Sequence, residues 1–396
     1  MRRNAVLFVA VSLLSGFGGT AMALVTGLWI FDLTGSPSLA ALAATCVYVP
    51  TLAGPWLGGL VDRLPRRLVI IAANLTLATV LPTLLTVRGP EQVWLLYVVS
   101  TVYGVAYVLI DAGESALLPA AISPAELGQV NGWRSSAQEG AKLVAPLLGA
   151  SLYAWQGGPV VALLAAGLPA LAAALYAALR LTRTPSTAAP RARGIRSGLA
   201  VLFGSPAIRL PVVLATVAIG ISGFATAAGY AVVTDLLGLP ITFLGVLVSA
   251  QGVGSLAGGV VVGRLIARYD PTTVAVAGAA LFGVSCLARC LPWWPVVVFA
   301  SVIAGVGLPW ALVAAVTALQ THTPDALLGR VSATANTLMF GPIAAANPLG
   351  SAAVLLGARP PLLLAATACL AAAALTWRTA AQGWGVRRGP LLSTRR

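Results

Sequence analysis

Five ionisable residues stand inside long apolar runs: Asp111 and Glu114 in one, Arg134, Glu139 and Lys142 in the next. A charge held in a bilayer is unfavourable by roughly 2.5 to 3.5 kcal/mol on insertion scales, so it argues for a task rather than for packing. The chemistry open to such a set is reversible protonation of a carboxylate, binding of a charged solute, or pairing that orients helices. If the two runs are helices that meet between Pro119 and Gln129, Glu114 and Arg134 both lie roughly 7 Å from that end at about 1.5 Å per residue. Asp111 then lies roughly 12 Å deep, Glu139 roughly 15 Å and Lys142 roughly 20 Å. Glu114 and Arg134 are therefore expected to meet, and Glu139 and Lys142 stand one turn apart on one helix. Glu139, the deepest acid, is the expected proton carrier, with burial and Lys142 acting on it in opposite senses. Asp111 and Glu114 suit attachment of arginines near the helix ends, and static ion pairs are the remaining reading for all of them.

A second constellation is Gly58-Gly59-Leu60-Val61-Asp62-Arg63-Leu64-Pro65-Arg66-Arg67, between two apolar runs. Gly58 permits close helix approach, Asp62 suits a helix N-terminus, and Arg63, Arg66 and Arg67 suit carboxylates or lipid phosphates. A topogenic basic loop would explain the arginines but not Asp62 or the glycines.

Other chemistries lack their residues. Lys142 is the only lysine and follows Ala141, so no Gly-Lys-Ser/Thr phosphate loop exists and ATP is not this chain's own energy source. The only histidine, His322, has no clustered carboxylates, and Cys46, Cys286, Cys290 and Cys369 sit in apolar segments as small packing residues. No Asp-Asp-x-x-Asp motif is present. The chain is expected to be no enzyme and to hold no cofactor or metal.

The elements that must position these residues follow from hydropathy. The 396 residues are 59% hydrophobic and 9% charged, with a mean hydropathy of +0.93, a balance that calls for lipid as solvent. Apolar runs long enough to cross a bilayer recur near 5 to 31, 39 to 61, 68 to 87, 93 to 118, 130 to 154, 158 to 181, 207 to 231, 240 to 262, 272 to 291, 293 to 319, 331 to 356 and 360 to 377. An all-α integral membrane protein of twelve transmembrane helices is the predicted fold class. The net charge of +14 does not mark nucleic acid, because its placement is lopsided: with the N-terminus inside, nineteen of 24 basic residues lie inside. Arg88, Arg289 and Arg359 fall outside, which is the positive-inside asymmetry and places both termini in the cytoplasm. Ala21-Met22-Ala23 mimics a signal-peptidase site, but the apolar run continues through Phe31, beyond a signal core.

The stretch from Arg180 to Arg209, rich in Arg, Pro, Ser and Gly, divides the chain. The reading is a six-helix bundle over 1–181, a basic cytoplasmic linker over 182–206, a second bundle over 207–377 and a cytoplasmic tail over 378–396. The bundles repeat: Asp32, Gly35 and Pro37 match Asp235, Gly238 and Pro240 at an offset of 203, and Gly58, Arg63 and Leu64 match Gly259, Arg264 and Leu265 at 201. Pro124 matches Pro324 at 200, Gly128 and Val130 match Gly329 and Val331 at 201, and Pro146 matches Pro348 at 202. Such parallel repeats about an axis along the membrane normal put a substrate path between the halves. Segments 6 and 12 are almost pure Ala/Leu and are expected at the periphery. Segments 1, 4, 5, 7, 8 and 11 carry the polar residues, among them Thr20, Ser222, Ser249 and Asn347. Pro50, Pro82, Pro146, Pro169, Pro342 and Pro348 are expected to kink their spans.

The run from Gly58 to Arg67 resembles the major facilitator superfamily signature Gly-x-x-x-Asp-Arg-x-Gly-Arg-Arg, with Pro65 replacing its glycine. Asp32 to Pro37, Ala116-Leu117-Leu118-Pro119, Ser123 to Leu127, Asn131, Pro146-Leu147-Leu148-Gly149 and Thr323-Pro324-Asp325 with Leu328-Gly329-Arg330-Val331 are similar to the drug-exporter branch that includes macrolide-efflux and enterobactin-export proteins. In the second half Gly263 stands where the signature has its acid. The resemblance implies two six-helix pseudo-repeats and a signature loop that holds the outward-facing state closed on the cytoplasmic side. It also implies a multi-pass cell-membrane antiporter, working as a monomer among lipids, that exports a drug, antibiotic or siderophore-like metabolite against protons and confers multidrug resistance. A proton-coupled uptake symporter is the alternative, and a non-transporting receptor or assembly factor leaves the signature and buried acids without a task.

Overall fold

A backbone that crosses hydrocarbon must satisfy its N–H and C=O groups within its own segment, which makes helices the solution for an apolar chain. The computed structural model describes residues 2–180, 195–323 and 325–387, and among these it contains helices and no strand. Ten helices are long and apolar enough to cross a membrane, and one of these is a 49-residue run that folds back on itself. With that run divided and the shorter apolar helix Pro37–Leu52 added, there are twelve spans.

Span 1 is Arg2–Thr34, and span 2 is Pro37–Leu52 continued by Gly54–Arg63. Span 3 is Arg66–Val80 with a 3-10 turn Leu81–Thr86, and span 4 is Val93–Ala121. Spans 5 and 6 share Pro124–Ala177 and part at Gly157, whose φ of 78° and ψ of 174° break the helix. Their course along span 1 shows the reversal: one arm sets Ala141 against Gly16 and Gly149 against Ala21, the other Gly158 against Trp29, Leu168 against Gly18 and Tyr176 against Phe8. Span 7 is Pro206–Phe224, continued by Thr226–Ala231 and the π turn Val232–Leu236. Spans 8, 9 and 10 are Leu244–Arg268, Pro271–Ala288 and Trp294–His322. Span 11 joins Asp325–Phe340 to Ile343–Ala353, and span 12 is Arg359–Arg387.

The repeat is visible in the backbone. Gly35 and Gly238, offset by 203, both turn the chain after an outgoing span with φ of 66° and 62°, a conformation that only glycine adopts without strain. Ser36 then caps span 2 by accepting from Leu39 N at 3.3 Å, and Pro37 opens that span with its fixed φ. Trp94, Trp155, Trp293 and Trp294 are exposed near one end of the bundle, and Trp56, Trp133 and Trp377 near the other. Such belts mark the two faces of a membrane. The end that carries residues 2 and 387 is called terminal below, and the opposite end distal.

Local structure departs from the sequence reading in three places. The linker reading covers 182–206, but Ile195–Gly204 is a helix within it; residues 181–194, including Arg183, Arg191 and Arg193, lie outside the described set. Span 12 runs to Arg387 rather than ending at 377, which leaves 388–396 outside the described residues. Span 7 breaks between Phe224 and Thr226 without any proline, where Gly350 of span 11 packs directly on the Phe224 carbonyl. Of the prolines expected to kink their spans, Pro50, Pro82 and Pro342 stand beside helix breaks, and Pro146, Pro169 and Pro348 lie within helices. Pro324, expected to match Pro124, lies outside the described residues.

One large core spans both halves at the distal end, combining Trp29, Ile30, Leu96 and Val161 with Ala228, Val233, Leu244 and Leu362. At the terminal end each half keeps its own core: Phe8, Ile70, Leu117 and Tyr176 in the first, Leu202, Ile208, Val331 and Met339 in the second. The halves are thus joined distally and separate toward the terminal end. Two seams close the distal side. In one, spans 5 and 8 cross, and a Cβ on Gly252 would come 2.8 Å from the Lys142 carbonyl oxygen. In the other, spans 2 and 11 meet, with the Ser38 hydroxyl donating to the Ser351 carbonyl.

Candidate functional site

Span 4 brings its acids to the inner side of the first half by helical spacing. Gly104 faces span 2 at Val47 and Pro50, and Gly113 faces span 3 at Ile70. Glu114 points toward spans 5 and 6, so Tyr107 and Asp111 fall on the arc between Gly104 and Glu114, turned inward.

Glu114 is buried and satisfied on both oxygens: Arg134 Nη2 of span 5 reaches Oε2, and the Tyr176 hydroxyl of span 6 donates to Oε1. Arg134 in turn donates from Nε to Ser12 Oγ at 3.0 Å, with its guanidinium 5.9 Å from the centre of the Phe8 ring on span 1. The pair's side chains are only 14% and 11% exposed, and charges so withdrawn from water persist only when every donor and acceptor is met. Asp111 is different. It is exposed, and no ion pair or hydrogen bond holds it among the described residues. Tyr107 one turn away and Tyr48 of span 2 are also exposed. Two carboxylates therefore share one guanidinium, and Glu114 has it.

Glu139 accepts from Lys142 Nζ at 2.7 Å. The sequence reading expects a desolvated mid-membrane acid; Glu139 is 32% and Lys142 54% exposed, beside the crossing of span 5 with span 8. The acid that depth selects is thus paired and partly exposed, and the shallower Asp111 is unpaired.

The signature residues Gly58, Asp62 and Arg63 lie in the terminal turns of span 2, while Arg66 and Arg67 open span 3. Arg67 donates from Nε to the Tyr176 carbonyl at 3.0 Å and from Nη2 to that of Ala177. Arg3 reaches the Ala178 carbonyl, and Asn4 Nδ2 reaches those of Ala121 at 3.0 Å and Arg180 at 2.8 Å. These donors satisfy free carbonyls at the ends of spans 6 and 4, and the two arginines complement the dipole of span 6. Tyr176 thus links the signature, through its backbone, to Glu114, through its hydroxyl. Sequence reasoning missed Tyr176 because segment 6 reads as a peripheral Ala/Leu helix, although it is one of the largest fully buried side chains. A phenol in such a run was the available signal, as was Ser12 in segment 1.

At the distal end Tyr230 of span 7 stacks on Phe31 of span 1, ring centres 6.4 Å apart and 25° from parallel. Its hydroxyl rests where a side chain at Gly27 would have to go.

The sequence matches the Major Facilitator Superfamily over residues 6–230 and 212–391. It is 35% identical over 137 residues to the 3-(3-hydroxy-phenyl)propionate transporter of Escherichia coli (strain K12), a match that takes in 34% of this chain and spans 29% of that relative's length. Among solved structures, a mutant of the nucleoside transporter NupG superposes with a TM-score of 0.73 at 13% identity, over 95% of this chain and 99% of that one. The D-xylose-proton symporter gives 0.71 at 14%, over 94% and 96%. A bacterial homologue of the iron transporter ferroportin in its inward-facing state gives 0.66 at 18%, over 95% and 97%. At these identities the structural likeness speaks for the fold.

Proposed function

We propose an export function for this chain, which belongs to the Major Facilitator Superfamily and is a secondary transporter of the multi-pass membrane type. It carries a small amphiphilic molecule out of the cell against protons, by alternating access between its halves. The observation that supports this most is the unequal lot of two acids one turn apart: Glu114 is sealed by Arg134 and Tyr176, whereas Asp111 faces the cleft without a partner. An accessible carboxylate left over from a shared guanidinium is the group placed to exchange a proton or meet a cationic solute. Glu114 and Arg134 fix span 4 against span 5, the Glu139–Lys142 pair lies on the cleft wall, and the signature with Arg67 steadies the terminal ends of spans 3 and 6. With the positive-inside bias, the open end of the cleft faces the cytoplasm together with both termini.

Uptake by proton symport is the second reading. Lys142, the only lysine, is more than half exposed and offers a cation to a carboxylate solute. Proteoliposomes with an imposed pH gradient and a panel of amphiphilic cations and aromatic acids distinguish the two. Export is supported when cationic amphiphiles move opposite to the proton flux, and is overturned when only acids move, and with the protons.

A further inference from the structure

Side-chain polar atoms that are sealed from solvent and unbonded are few in a folded protein, because each forfeits the hydrogen bonds it makes to water when unfolded. Among the described residues there are seven such atoms, and five of them belong to Thr45, Ser249, Asn347 and Ser351. These four residues lie on or beside the two surfaces where the halves meet distally. Ser249 stands between Gly245 and Gly252, the glycines of span 8 that pack on Pro146, Ala150 and Lys142 of span 5. Thr45 stands seven residues from Ser38 and seven from Leu52, and those two touch Ser351 and Gly341 of span 11. Seven residues is two helical turns, so Thr45 lies on the same stripe. Asn347, one turn from Ser351, is 1% exposed with neither its oxygen nor its nitrogen bonded. Its Oδ1 would be 3.0 Å from a Cβ on Gly223 of span 7, beside the break in that span.

The clustering has a physical sense. Hydroxyl and amide groups inside one half can be paired once and left, but groups on a surface that opens are hydrated in one state and stripped in the other. We infer that the two distal seams are hydration sites whose polar side chains bind water when the halves part distally. Their unmet bonds hold the distal-closed state close in free energy to the distal-open one. Phe31, Tyr230 and the shared apolar core draw the seam shut; Thr45, Ser249, Asn347 and Ser351 oppose them.

The inference rests on the halves separating distally during transport, and hydrogen exchange tests both statements separately. Amide exchange of the full-length protein in lipid nanodiscs is followed by mass spectrometry for segments 37–45 and 343–353, against span 9 as a reference. Thr45→Val, nearly isosteric, and Ser249→Ala in the opposite seam should each slow seam exchange about tenfold, the effect of removing one stripped polar group. Thr216→Val should leave it unchanged, since the Thr216 hydroxyl already donates to the Val212 carbonyl at 2.8 Å. Seam exchange that is fast in the wild type but unaltered or accelerated in both seam variants would overturn the inference alone. Wild-type seam exchange no faster than that of span 9 would overturn the separation itself. Should Thr45→Val raise exchange throughout the protein, Ser249→Ala decides the matter in the same way.

Discussion

Tyr230 lays its hydroxyl on Gly27, and the two are the same position of the repeat, offset by the 203 residues that also relate Asp32 to Asp235 and Gly35 to Gly238. Equivalent residues of two halves related by a twofold axis touch only where that axis passes. There is room on it for one side chain, so one half supplies tyrosine and the other glycine. Phe31, stacked on Tyr230, completes an apolar plug at the distal end of the cleft.

Gly27→Val is therefore expected to hold the distal end apart. A Cβ at this position overlaps Tyr230 Oη, and overpacking of this kind costs about 1 to 3 kcal/mol. Transport should fall about tenfold or more at unchanged expression. The double variant Gly27→Val/Tyr230→Ala, which vacates the axis, should recover part of the loss, and an additive double variant would show that the contact is not what matters.

The buried pair gives a prediction on stability. Arg134→Leu strands Glu114 among apolar side chains, and removal of one partner from a buried pair costs about 3 to 5 kcal/mol. Glu114→Gln with Arg134→Gln leaves no stranded charge and should cost less. Thermal unfolding in detergent checks the order; equal midpoints for the single and double variants would contradict it.

For orientation, a single cysteine at position 89, in a distal turn, should react with an impermeant thiol reagent added to intact cells. Cysteines at 190 and 390 should not. Labelling at 190 would invert the topology.

The signature is expected to act on conformational balance. Asp62→Asn and Arg67→Ala should lower turnover several-fold while leaving substrate binding in place, since Arg67 caps span 6 and a conformational equilibrium rather than a pocket is disturbed. Unchanged transport in both variants would reduce the loop to a topology signal.

Much of the architecture is legible in the sequence because lipid imposes a strong rule: one long apolar run per crossing, with basic residues collected on one side. The positive-φ glycines at 35 and 238 and the proline that follows each are likewise local signals. The functional geometry is less legible. Depth along a helix can be counted, but exposure depends on which helices part, and that is a property of the whole bundle. Glu139 illustrates this: it is deep by count, yet 32% exposed and paired with Lys142. Tyr176 illustrates the converse, a polar tip in a run of Ala and Leu whose partner, Glu114, is 62 residues away. The break in span 7 has no proline to announce it and coincides with the close approach of Gly350 from another helix.

The decisive measurement is uphill export driven by an imposed pH gradient, set beside solute exchange at equilibrium, for Asp111→Asn and Glu139→Gln in proteoliposomes. If the unpaired acid of span 4 carries the coupling, Asp111→Asn abolishes pH-driven export while exchange of a neutral solute continues, and Glu139→Gln exports uphill at a rate within a few-fold of wild type. Uphill export retained by Asp111→Asn and lost in Glu139→Gln would contradict this, and would assign the coupling to the acid paired with Lys142.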